Sequence, residues 1–131
     1  MIRGPSGAGK SDLGLRLINH GADLVADDQA MLERRGERLV VSAPDAIAGM
    51  IEVRGVGIMR VDAVAEAPLA LIVDLLPSGE IERMPEPRLE EVLGVAVPLI
   101  ALAPFEASAA AKLRVTLRAL AAGPSPAIIG R

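Results

Sequence analysis

Cysteine, tryptophan and tyrosine are absent from the chain, and Phe105 is the single aromatic residue among 131. Without thiols there are no disulfides and no thiolate metal sites, and redox chemistry says nothing about the compartment. Without aromatics the core must be built from Leu, Val, Ile, Ala and Met, which pack well but offer no stacking platform for bases, so single-strand nucleic-acid binding is disfavoured. Positive charge is also short: 14 Lys and Arg stand against 17 Asp and Glu, a formal charge of −3. That balance is too acidic for a domain that works on DNA or RNA phosphates, although local geometry can still hold a small anion. No apolar run approaches the roughly 18 residues of a membrane span, and Met1-Ile2-Arg3 is too short for a signal peptide. The expectation is a soluble, cytoplasmic protein with no nucleic-acid and no membrane partner.

What is present is enough apolar sequence, 51%, for one compact core at this length. Residues 11–19 place Leu13, Leu17 and Ile18 on one helical face, and Gly21 follows as a left-handed cap. His20, in the last turn, is given no catalytic role. Residues 23–26 read as a short buried strand ending in Asp27-Asp28, and residues 31–34 and 39–42 flank Arg35-Gly36-Glu37 as a hairpin. Ala43-Pro44-Asp45 is expected to open a short helix through Met50. Residues 51–58 carry two glycines where a backbone could approach a ligand. The apolar run 69–75 suits a strand buried on both faces, which makes its single charge, Asp74, conspicuous. A further strand is expected at 98–102 and an Ala-rich helix at 106–122, with residues 123–131 a loose tail. The fold class is α/β, with a glycine-rich loop between the first strand and the first helix.

That loop is Gly4-Pro5-Ser6-Gly7-Ala8-Gly9-Lys10-Ser11. A polyphosphate needs several donors converging on its oxygens, and a loop with three glycines can turn its backbone N–H groups toward it. Lys10 would reach the β- and γ-phosphates as a mobile point charge, and the Ser11 hydroxyl would occupy one Mg²⁺ position. All eight positions match the phosphate-loop pattern, and an amphipathic helix follows at once, so ATP and Mg²⁺ are the expected cofactors. The loop alone does not name a reaction. Asp27 and Asp28 offer two carboxylates, one able to hold Mg²⁺ through water and the other to accept a proton from an attacking hydroxyl.

Taken together, these residues resemble the catalytic C-terminal domain of HPr kinase/phosphorylase, which uses ATP to phosphorylate a serine of the phosphocarrier HPr. The resemblance rests on the loop Gly4 to Ser11, on Leu24-Val25-Ala26-Asp27-Asp28, and on a signature of Glu, Arg and two glycines in residues 51–58. It implies a phosphate-loop kinase domain over residues 1–122, with a mixed, mostly buried sheet and flanking helices of the PEP carboxykinase-like type. It further implies that Asp28 is the proton acceptor, that Glu52 and Ser11 belong to the Mg²⁺ site with Asp27 beside them, and that Arg83 is the transition-state arginine. HPr would be the partner, and the assembly a homo-oligomer, a hexamer by the resemblance.

Three departures accompany the likeness. The likeness does not extend to the family's N-terminal domain, so the short single-domain form is expected, nor to its histidine upstream of the loop. Ala101-Leu102-Ala103-Pro104-Phe105-Glu106 stands where the family has a basic, glycine-containing loop associated with phosphorolysis. The kinase direction is therefore expected, and an upstream apolar strand carrying a histidine is expected in the natural reading frame. Two rival readings share Lys10 and Ser11: a small-substrate phosphotransferase or NTPase, and a nucleotide-binding relic or sensor without turnover.

Overall fold

The computed structural model describes residues 1–122. In chain order the elements are β1 (Ile2–Arg3), α1 (Lys10–Asn19), β2 (Met31–Arg35), β3 (Arg38–Ser42), β4 (Met50–Val53), β5 (Gly57–Arg60), β6 (Glu66–Pro68), β7 (Ile72–Leu75), β8 (Arg88–Val92), β9 (Val95–Leu102) and α2 (Ala109–Ala122). The architecture is α/β with a mixed sheet. Two compact units are present among the described residues, one formed by Met1–Lys10 and residues 70–122, the other by Ser11–Leu69. Residues 123–131, expected as a tail, lie outside the described residues.

The first unit is organised by a four-stranded sheet in the order β1-β7-β9-β8. β1 and β9 both run parallel to β7, whereas β8 is antiparallel to β9. Of the apolar run 69–75, only residues 72–75 form β7, the strand between β1 and β9, and Leu71, Ile72, Val73 and Leu75 are all buried, as suits an apolar strand covered on both faces. Val97, Leu99 and Leu102 of β9 and Ala109, Ala110 and Leu113 of α2 complete this core. Each fully buried Leu, Val or Ile side chain contributes about 1.5–3 kcal/mol from its removal from water.

The helix expected from Glu106 begins three residues later at Ala109, because Pro104 and Phe105 occupy a β-turn closed by the Glu106 N–H on the Ala103 carbonyl at 3.3 Å. β8 was not anticipated at all. It joins β9 through Leu93 and Gly94, whose φ values of 48° and 80° are both positive, as a two-residue type I′ hairpin requires.

In the second unit α1 buries Leu13 completely, and Asp12 and Arg16 pair one turn apart at 3.0 Å. The helix ends as Gly21 implies. Ala22 N–H donates to Leu17 O and Gly21 N–H to Ile18 O, both at 3.0 Å, which is the bond pair of a Schellman motif. β2 and β3 form the expected hairpin, with Gly36 at φ 66° in the first turn position, and β6 pairs with the other edge of β3.

β4 and β5 make a second hairpin. Its turn is closed by Val56 N–H on Val53 O at 2.9 Å with Gly55 at φ 83°, Gly57 opens β5 at φ 124°, and a Cβ at either glycine would touch nothing within 4 Å. The short helix expected through Met50 is a single 3-10 turn, Asp45–Ile47, and Met50 already belongs to β4. The buried strand expected at 23–26 reduces to one parallel bridge, Leu24 to Ala63. Leu24, Val25 and Ala26 are half-buried there.

Candidate active site

The glycine-rich loop leaves β1 at Gly4 and enters α1 at Lys10. Its first bend is a turn closed by Ala8 N–H on Pro5 O at 3.0 Å, with Gly7 at φ 81°. A side chain at that φ is strained in any L-residue. Gly4 is small for a different reason: a Cβ there would lie 3.0 Å from Ala8 Cβ and 3.4 Å from Leu75 Cβ. Gly9 meets both demands, with φ 101° and a would-be Cβ 3.0 Å from Phe105 Cζ and from Pro104 Cγ. Pro5, Ser6 and Gly7 are exposed, while Ala8, Gly9 and Lys10 are half-buried and Ser11 is exposed.

Arg3, the residue before the loop, is tied to two strands. Its Nε and Nη2 donate to the Asp74 carboxylate at 2.8 and 3.0 Å, and its Nη1 and Nη2 donate to Glu90 at 2.6 and 2.8 Å. Hydrogen bonding to these two carboxylates raises the guanidinium pKa above its ordinary value, and hydrogen bonding to Arg3 lowers that of Glu90. The lone charge of β7 is thus the anchor for the strand that delivers the loop. Sequence reading had no means of pairing residues 71 positions apart.

The turn that faces Gly9 is pinned from the other side. Glu106 accepts from Ser78 Oγ and from Lys112 Nζ, each at 3.0 Å. Hydrogen bonding to Lys112 first, and to Ser78 second, lowers the Glu106 pKa.

In the second unit the Asp27 carboxylate meets the backbone of Glu52. Asp27 Oδ2 accepts the backbone N–H of Glu52 at 3.0 Å, bridging the bend after Ala26 to β4 across 25 residues. Asp27 is half-buried, and Asp28 and Glu52 are exposed. Glu52 lies opposite Ile58 in the β4–β5 hairpin. Among the described residues, no group of three or more His, Cys, Asp or Glu is arranged to hold a metal ion by protein ligands alone. Arg83 is exposed in a bend before β8. A shallow depression of about 290 Å³ on the second unit is lined by Arg35, Arg38, Val40, Glu66, Ala67 and Pro68. None of these is a candidate residue, and Arg35 there is already paired with Glu33 and Glu66.

Comparison with known proteins bears on the family and the fold. The family model described as the HPr Serine kinase C-terminal domain matches residues 1–113. The HPr kinase/phosphorylase of Variovorax paradoxus is 39% identical over 110 residues, covering 74% of this chain and 34% of its own length. That of Chloroherpeton thalassium is 37% identical over 113 residues, covering 77% and 33%. The chain therefore spans about a third of the curated relatives it matches. A solved structure of the Hpr(Ser) kinase/phosphatase from Coxiella burnetii superposes with a TM-score of 0.79 at 28% identity, covering 89% of this chain and 83% of that one. With the family model spanning most of the described chain and the fold agreeing, the chain belongs to the HPr serine kinase C-terminal domain family.

Proposed function

We propose that the chain is the catalytic domain of an ATP-dependent serine kinase acting on the phosphocarrier HPr, built on a phosphate-binding loop of the PEP carboxykinase-like type. The observation that carries this reading is the loop itself. Gly4, Gly7 and Gly9 are each demanded by local geometry, and the loop runs straight into the first turn of α1, where unpaired N–H groups and the helix dipole favour anions.

In this reading the residues from Gly4 to Ser11 bind the triphosphate of ATP, with Lys10 neutralising charge on the β- and γ-phosphates as the transition state develops. The serine Oγ of HPr attacks the γ-phosphorus; the Oγ–P bond forms, the bond to the β,γ-bridging oxygen breaks, and ADP leaves. Asp28, whose exposed carboxylate follows the bend at Asp27, takes the serine proton. Arg83 stabilises charge on the transferring group. The donor set of Ser11, Asp27 and Glu52 consists of hard oxygens and suits Mg²⁺, which keeps few protein ligands and completes its shell with substrate phosphates and water. When bound, Mg²⁺ supplies charge neutralisation on the phosphates. Asp27 also fixes the start of Glu52 through the Glu52 N–H.

The turn at Ala103-Pro104-Phe105-Glu106 offers no cation, since its only charge is an acid already bound to Lys112. That composition favours the kinase direction over phosphorolysis. A cytoplasmic location and a homo-oligomer, a hexamer in the fullest form of the resemblance, belong to the same proposal. Incubating the chain with labelled ATP, Mg²⁺ and purified HPr tests it. Label on an HPr serine is expected. ATP hydrolysis without labelled HPr points to an NTPase, and ATP binding without turnover to a nucleotide-binding relic; either outcome overturns the kinase assignment.

A further inference from the structure

Single exposed apolar side chains are ordinary on protein surfaces, but Phe105 differs in three respects. It is the one aromatic ring of the chain, and the core does not use it, since it is 72% exposed. It is also held in place. Pro104 occupies the turn position where its fixed φ is favoured, that proline is buried, and Glu106 on the other side is bound by Ser78 and Lys112. Finally, its ring edge abuts Gly9 of the glycine-rich loop, where an added Cβ would lie 3.0 Å from Phe105 Cζ.

We propose that the face of Phe105 is the stacking platform for the base of the nucleoside triphosphate whose phosphates the loop binds. This inference rests on the phosphate-loop reading above and adds the nucleoside end of the site to it. Continuity with the loop selects the occupant. A base joined through its ribose and α-phosphate to phosphates on residues 7–10 is tethered close to a ring that touches Gly9. The turn that carries the ring is already tied down through Glu106, so little backbone freedom is lost on binding.

One ring serves one base, which agrees with a chain that lacks the array of aromatics needed to track a nucleic-acid strand. The side chains of Ala103, Pro104 and Phe105 carry no hydrogen-bonding group, and the Glu106 carboxylate is engaged. Stacking without hydrogen-bond readout is tolerant of the base, so this platform holds adenine and guanine nucleotides with affinities within a few-fold of each other.

Calorimetric titration of the 131-residue chain with ATP, GTP and inorganic tripolyphosphate, each with Mg²⁺, tests the assignment in wild type, Phe105→Ala, Phe105→Leu and Phe105→Trp. The expected result is a loss of about 5- to 100-fold in ATP and GTP affinity in Phe105→Ala, with tripolyphosphate affinity unchanged. Phe105→Leu, which keeps apolar bulk beside Gly9 without a π face, should lose most of the same factor. Phe105→Trp should restore it. Because the chain has no other tryptophan or tyrosine, indole fluorescence in that variant should change on adding ATP and stay constant with tripolyphosphate.

An equal loss of ATP and tripolyphosphate affinity in Phe105→Ala overturns the proposal, because the ring would then serve only to brace Gly9. Unchanged affinity for both also overturns it and assigns the exposed ring to another partner, such as a protein surface. A wild-type chain that binds neither ATP nor tripolyphosphate removes the phosphate-loop reading itself. That outcome is distinct from a base-specific failure.

Discussion

Arg3 and Asp74 are register partners on β1 and β7, and the guanidinium of the first closes on the carboxylate of the second at 2.8 and 3.0 Å. The pair fixes the residue immediately before Gly4 to the middle strand of the sheet. Glu90 on β8 completes the clamp from the other side of β9. Each of these side chains is about one-third exposed, so solvent screens the attraction. Asp74→Asn is expected to destabilise by about 1 kcal/mol, measured by urea unfolding.

The Glu90 carboxylate, held below its ordinary pKa by hydrogen bonds from Arg3, gives the clamp a defined pH response. A carboxyl group with a depressed folded-state pKa contributes stability that is present above its unfolded value, about 4.3, and lost as pH falls through the folded value. Wild type should therefore exceed Glu90→Gln in stability by a constant margin above about pH 5.5. The margin should shrink as the solution is acidified below about pH 4.3. A margin independent of pH between 3 and 7 would show that the Glu90 charge contributes nothing.

On the proposed function, Lys10→Ala should abolish phosphoryl transfer to HPr while leaving the circular dichroism spectrum intact, since a half-buried lysine in the loop is expected to act on phosphate rather than on the core. Ser11→Ala should lower activity in a way that raised Mg²⁺ partly restores. A Ser11→Ala defect that is the same at all Mg²⁺ concentrations counts against the metal role.

Asp28→Asn is expected to lose turnover by about 10² or more while keeping ATP affinity, as removal of a general base does. Asp27→Asn should be milder, because its side-chain oxygen can still accept the Glu52 N–H. Asp27→Ala removes that acceptor and should raise the Mg²⁺ requirement further. Single-turnover rates and ATP titration separate chemistry from binding in all three variants.

The parts of the fold legible in the sequence were those with local causes. α1 announced itself through Leu13 and Leu17 and through Gly21, whose Schellman bonds lie within six residues. The β2–β3 hairpin followed from Gly36, and β7 from its apolar run. β8 was invisible because its pattern is inverted: Leu89 is 67% exposed, and Glu90 turns inward to meet Arg3. In the candidate site, the loop was readable as a contiguous motif, whereas contacts between distant residues were not. Asp27 with Glu52, Arg3 with Asp74, and Phe105 with Gly9 each join residues tens of positions apart. Phe105 alone left a signal, as the single aromatic of the chain.

The turn that β8 requires has a measurable strain. Leu93 sits at φ 48° as the first residue of the β8–β9 turn, a conformation that asparagine adopts more readily than a branched apolar side chain. Its side chain is exposed, so replacement removes little burial. Leu93→Asn is expected to stabilise by about 0.5–1 kcal/mol, read as a higher urea midpoint with an unchanged slope. A lower midpoint would show that contacts of Leu93 outweigh its backbone strain.

Gly9 joins the loop to the Pro104–Phe105 turn so closely that its substitution separates backbone strain from contact. Gly9→Ala must place a methyl group at φ 101°, and that methyl would lie 3.0 Å from both Phe105 Cζ and Pro104 Cγ. The conformational term alone is about 1–2 kcal/mol, so the variant should melt lower and bind ATP less tightly. In the double variant Gly9→Ala, Phe105→Ala the ring contact disappears, whereas the positive φ and the buried Pro104 remain. The double variant should recover only part of the stability lost in Gly9→Ala, relative to Phe105→Ala alone. Full recovery would mean that the ring contact was the whole penalty and that the loop relaxes freely around φ at this position. No recovery would place the penalty in the backbone and Pro104, with the exposed ring moving aside at no cost.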